Sequence, residues 1–212
     1  MGKIMEAIFC VAYLIITFVF GIKIVKHSKK NKELTLFGIM TLVLVGGDSF
    51  HLVPRIMAVI NQSGDYTKAM GIGTLITSVT MTIFYLIMYC IFEMHYNKKN
   101  NRLMIIMTVL SVVRIALCLM PQNDWTGAST VSWGIYRNIP FTIMGIIMVV
   151  LFFSERNDKA YKFMWLAILL SFAFYLPVVL WSDVNKMVGM LMMPKTCMYV
   201  WMVVMGYRQC GY

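Results

Sequence analysis

Seven apolar runs, each about long enough to cross a lipid bilayer, follow one another along the 212 residues with only short connections between them. They cover roughly 4–25, 34–60, 67–92, 102–120, 131–153, 161–181 and 186–206. A membrane-spanning helix needs about 20 mostly apolar residues. In lipid, only helices and closed barrels satisfy their own backbone groups. These runs are too long and too uniformly apolar for barrel strands, which alternate. The expected fold is therefore all-α, a polytopic membrane protein built as one bundle of seven transmembrane helices over residues 1–212. No room is left for a separate soluble domain. Composition agrees, since 60% of residues are apolar and 13% charged, about half the ~25% usual for soluble domains. The first run is longer than a signal-peptide core and is followed by lysines rather than a small-residue cleavage site, so it reads as a retained helix.

The basic residues orient the bundle. Twelve fall in the segments after helices 1, 3, 5 and 7: Lys23, Lys26, Lys29, Lys30, Lys32, Lys98, Lys99, Arg102, Arg156, Lys159, Lys162 and Arg208. Lys3, Lys68 and Lys186 fall on the other side. The positive-inside rule puts the twelve in the cytoplasm, with the N-terminus outside and the C-terminus cytoplasmic. The net charge of +10 then reads largely as topology, and no nucleic-acid partner is expected. The expected location is a cell membrane, with membrane lipids as partners; a homo-oligomer is compatible with the sequence.

The five cysteines form no CxxC or Cys/His cluster and read as small packing residues. The 21 methionines read as packing or lipid-facing residues. His27, His51 and His95 are too dispersed for a three-histidine zinc site, so neither a metal nor another cofactor is expected.

The informative residues are the charges inside the runs, because each costs at least ~2.5–3.5 kcal/mol at the bilayer centre. Helix 2 carries Asp48, His51 and Arg55 in GGDSFHLVPRI. At 100° per residue these three lie within about 60° of one another, on one stripe. A carboxylate one turn from an imidazole suits general acid–base work, which makes Asp48 and His51 the candidate catalytic pair. Helix 4 carries Arg114. Helix 5 carries Arg137 between Tyr136 and Asn138, and helix 6 brings Tyr175 to the same depth, with Asp183 at its mouth. Lys195 stands near the middle of helix 7, after Pro194 and one turn before Tyr199. Four cations thus face one buried acid, Asp48. Uncompensated charge in a low dielectric is costly, so a small anionic or lipid-like ligand is expected to complete the site. Arg55, Arg114, Arg137 and Lys195 would hold its phosphate or carboxylate, and Tyr136, Asn138 and Tyr175 would orient it.

The run GDSFHLVPR, Gly47 to Arg55, resembles the GD-containing helix of the YhhN-like lysoplasmalogenase family, and Gly71 to Tyr89 is loosely similar to that family's next span. The resemblance implies a small polytopic hydrolase of lysoplasmalogen vinyl ethers in which Asp48 is the first acidic residue. Ser78 and Thr80 stand where that family carries a histidine. The expected function is a membrane hydrolase acting on an anionic lipid or lysolipid. A transporter or receptor for a small anion or anionic lipid would use the same residues without chemistry. Lys195 with Phe172, Phe174, Tyr175 and Trp181 also looks like the retinal site of microbial rhodopsins, but helix 3 supplies no counter-ion carboxylate.

Overall fold

The computed structural model describes residues 2–28, 31–61, 63–127, 131–182 and 184–211. Lys29, Lys30 and Asp183 therefore lie outside the described residues, as do the side chains of Lys3 and Lys186. The helices are α1 (Gly2–His27), α2 (Lys32–Ile60), α3 (Thr67–Tyr96), α4 (Asn101–Leu119), α5 (Val131–Ser154), α6 (Met164–Trp181) and α7 (Met192–Arg208). No strand occurs among the described residues, and all seven helical segments are long and apolar enough to cross a membrane.

Capping sets several boundaries. The Asn31 side chain accepts from the Glu33 and Leu34 amides at the start of α2, and Asn100 accepts from Leu103 N–H at the start of α4. Asn97 stops α3 in the left-handed conformation, with φ 50°. The α3 helix runs four residues beyond its apolar stretch because Glu93, His95 and Tyr96 find polar partners at that end.

The seventh segment departs from expectation. Residues Lys186–Leu191 form 3-10 turns, capped by Asn185, and the α-helix begins only at Met192. Pro194 lies in its first turn, where a missing N–H leaves no hydrogen bond unmade. Lys195 consequently stands in the first turn of α7 rather than at mid-helix.

The helices close a ring in chain order, α7 returning against α1, with α3 leaning inward to touch α5. The core is aromatic and methionine-rich. Tyr85 meets Phe141 and Phe172 edge-on at 5.1 and 5.7 Å, and Met81, Met88, Met144, Met148 and Met202 fill the gaps. Cys10 and Cys118 are buried in it, whereas Cys197 is exposed rather than packed.

The α2–α3 contact fixes the site described below. Gly47 faces Thr80, and Gly73 faces the Phe50 carbonyl and the Cα of His51, so closely that a Cβ at either glycine would overlap its neighbour. Pro54 has no N–H to bond the Phe50 carbonyl, and the bare Gly73 backbone packs against it instead. Gly73→Val should cost about 2–3 kcal/mol, because backbone rather than a flexible side chain opposes the new group. Thermal unfolding in detergent checks this; an unchanged midpoint would refute it.

At the end bearing α3's C-terminus, a polar clamp ties three segments together. His95 Nδ1 lies 2.8 Å from Glu33 Oε1 of α2, and its Nε2 lies 3.2 Å from Asp158 Oδ2 of the α5–α6 loop. Tyr96 and Tyr161 donate to Asp158 and Glu33 respectively. Burial pushes the Asp158 carboxyl up. The Ala160 amide, the Tyr96 hydroxyl, the Tyr161 amide and the facing His95 outweigh it and hold Asp158 below its ordinary value. A depressed carboxyl contributes stability that is present above its unfolded pKa, near ~3.9, and lost as pH falls through the folded value. The unfolding midpoint should therefore drop below about pH 4, and Asp158→Asn should flatten that drop. Equal acid sensitivity in the variant would contradict it.

Candidate functional site

The helix-2 stripe opens onto a small polar cavity. Asp48, His51 and Arg55 of α2, Thr77 of α3, and Lys195, Thr196 and Tyr199 of α7 line it, and its volume is about 70 Å³. That is room for a few waters or one small anionic group. A second, smaller cavity shares Leu52, Arg55, Met192 and Thr196 with it and is bounded by Glu6, Cys10 and Tyr13 of α1. Larger grooves exist between α1 and α2 and between α5 and α6, but their linings are almost wholly apolar.

Each cavity group is held differently. The Tyr13 hydroxyl donates to Asp48 Oδ2 at 2.6 Å. His51 Nδ1 lies 3.2 Å from the Met70 carbonyl and 3.0 Å from Thr74 Oγ1, which itself donates to Met70. The carbonyl can only accept, so this network assigns the ring proton to Nδ1 and leaves Nε2 of the neutral ring as an acceptor. The Gly73 contact makes this possible by bringing the first turns of α3 against His51. Thr77 donates across the same interface to the Gly47 carbonyl at 2.9 Å.

Lys195 is the unusual member. Its Nζ lies 4.3 Å from the centre of the Tyr175 ring and 5.5 Å from that of Tyr199. Among the described residues no carboxylate approaches it within ion-pair distance, although Asp48 lines the same cavity. Its charge is met by two ring faces, with donor capacity to spare.

The other expected site residues are dispersed. Arg55 pairs with Glu6 of α1, which removes it from the uncompensated set. Its side chain and that of Glu6 are 35% and 30% exposed, so the pair forms a rim rather than a floor. Arg114 is buried deeper, with Cζ 3.4 Å above the Phe141 ring, and does not line the cavity. Arg137 Nη1 donates to Asn123 Oδ1 at 2.8 Å, and its Cζ lies 4.4 Å above the Trp125 ring. Asn123 in turn bonds the carbonyls of Leu117, Cys118 and Met120, so Arg137 serves the C-terminal end of α4, where positive charge is favourable. The Tyr175 hydroxyl donates to Asn138 Oδ1, and Asn138 Nδ2 to the Gly134 carbonyl. That pair joins α5 to α6, and only the ring of Tyr175 reaches Lys195. Tyr136 is 52% exposed on the outside of the bundle, against Trp133, and lies away from the cavity.

Of nine candidate residues, the fold brings Asp48, His51, Arg55 and Lys195 to one cavity, with Tyr175 behind Lys195. The contribution of α1 was missed, although Glu6, Cys10, Tyr13 and Thr17 recur at i, i+4, i+7 and i+11, a one-faced polar stripe in an otherwise apolar helix. Cys10, Tyr13 and Thr17 are indeed buried. No family model matches the chain, and neither a curated protein nor a solved structure matches it.

Proposed function

We propose that this chain is an integral membrane hydrolase that acts on an anionic lipid or lysolipid at the Asp48–His51–Lys195 cavity. In this reading it lies in a cell membrane with the N-terminus outside and the C-terminus cytoplasmic. The support for that orientation is the crowding of basic residues on the segments after helices 1, 3, 5 and 7. The observation that carries the functional reading is that one cavity gathers a carboxylate, an imidazole with a free acceptor nitrogen and an ammonium group without an anionic partner.

These groups divide the work as follows. Lys195 binds the phosphate or carboxylate of the lipid, and its cation–aromatic seat is exchanged for a full counter-charge. Asp48, held by the Tyr13 hydroxyl, takes a proton from the attacking water. In an ester, His51 relays that proton through Nε2 to the leaving oxygen, giving acid and alcohol. In a vinyl ether a proton is first delivered to the β-carbon, water then adds to the oxocarbenium carbon as Asp48 takes its proton, and the hemiacetal collapses to aldehyde and alcohol, so one water is consumed in either case. The Arg55–Glu6 pair at the rim sets the approach. The similarity of Gly47–Arg55 to the YhhN-like lysoplasmalogenases makes the vinyl-ether linkage the first to assay.

The test is release of the polar product from a panel of lysophospholipids by purified chain in detergent. Turnover supports the reading. Stabilisation by an anionic lysolipid with no turnover on any member of the panel would overturn it in favour of a binding or transport protein.

A further inference from the structure

A second cation remains unanswered after the cavity is accounted for. Arg114 of α4 is 2% exposed, and its Nε and Nη1 have no hydrogen-bond partner. Its Cζ lies 3.4 Å from the centre of the Phe141 ring. The same ring meets Tyr85 edge-on at 5.1 Å. The Tyr85 hydroxyl is fully buried, with the Ser171 and Tyr199 hydroxyls near it. The Arg114 guanidinium thus stands in the middle of the bundle with N–H groups to spare, and Tyr85 packs against the same ring.

No described carboxylate answers Arg114. Glu6 is taken by Arg55, Glu33 and Asp158 by His95, and Glu155 by Lys98. Glu93 accepts from Tyr89 and the Asn100 amide at the far end of α3. Asp65 and Asp124 are exposed in loops. Asp48 receives Tyr13, and Lys195 shares its cavity. A water molecule would accept hydrogen bonds from Arg114 but would leave its charge unopposed in a low dielectric, where an isolated charge costs several kcal/mol. Arg114 carries one positive charge that no described carboxylate meets, so one monovalent anion would answer it.

We infer that the core binds one halide ion, chloride under ordinary conditions, at the Arg114 guanidinium, with the Tyr85 hydroxyl as its second donor. Both groups are donors, which suits a small spherical anion that accepts from more than one direction. This site is separate from the lipid-binding cavity, and it stands or falls without the hydrolase reading.

The experiment is equilibrium dialysis of purified chain against radiolabelled chloride in gluconate buffer, alongside thermal unfolding over a chloride titration. The expected result is one chloride bound per chain. The midpoint should rise with the logarithm of the chloride concentration above the dissociation constant, by about 5 °C or more at a hundredfold excess over it. Arg114→Gln should abolish binding. Tyr85→Phe, which removes only a hydroxyl, should weaken it by roughly tenfold and keeps the test open should Arg114→Gln fail to fold. Lys195→Met should retain one bound chloride. Absence of saturable chloride binding by the unaltered chain, full affinity in Tyr85→Phe, or loss of the ion in Lys195→Met would each overturn the inference.

Discussion

Asp48→Asn should lower the turnover of anionic lysolipids by about a thousandfold, within the range typical of losing a positioned general base, while leaving the fold intact. The amide is isosteric and keeps an oxygen for the Tyr13 hydroxyl, which donates to Asp48 Oδ2 at 2.6 Å. The α1–α2 tie is therefore preserved. What disappears is the one carboxylate that lines the cavity among the described residues. Steady-state kinetics with circular dichroism as a folding control provide the check. A variant that is folded and still turns over at more than a tenth of the original rate would remove Asp48 from the chemistry.

Lys195→Met should act on a different parameter. Methionine fills much the same volume and can lie against Tyr175 and Tyr199, whose rings surround Nζ at 4.3 and 5.5 Å. Truncating one partner of a buried charge pair typically costs 2–5 kcal/mol. The KM for a phosphate-bearing lysolipid should therefore rise by about 30-fold or more, with kcat changed far less. An uncharged monoacylglycerol should show no such rise. A loss confined to kcat, or equal effects on charged and uncharged substrates, would show that Lys195 does not hold the anion.

Much of the fold was legible because lipid imposes few solutions. Each apolar run became a helix, and the boundaries moved mainly where polar residues extend a helix past its apolar stretch, as at Tyr96, or where 3-10 turns precede a proline, as before Pro194. The Asp48–His51–Arg55 stripe was legible from helical spacing alone. The partners of the other cations were not, because each is supplied by another element. Glu6 answers Arg55 from α1, and Asn123 with Trp125 answers Arg137 from the α4–α5 loop. A charge count along the sequence cannot see such pairings, so it overstated the surplus facing the cavity. The Glu33–His95–Asp158 clamp escaped notice for the same reason, since its members lie 62 and 63 residues apart. The close approach at Gly73 was also hidden, since a glycine in an apolar run signals proximity only once its neighbour is known.

The central claim is that the Asp48–His51–Lys195 cavity hydrolyses an anionic lipid. The most direct measurement is product release from a phosphate-bearing lysolipid, vinyl-ether and ester forms in parallel, by the unaltered chain and by Asp48→Asn purified side by side. The account predicts sustained multiple turnover by the first and about a thousandth of that rate by the second. Absence of product from every lysolipid with well-folded unaltered chain, or equal release by both proteins, would contradict it.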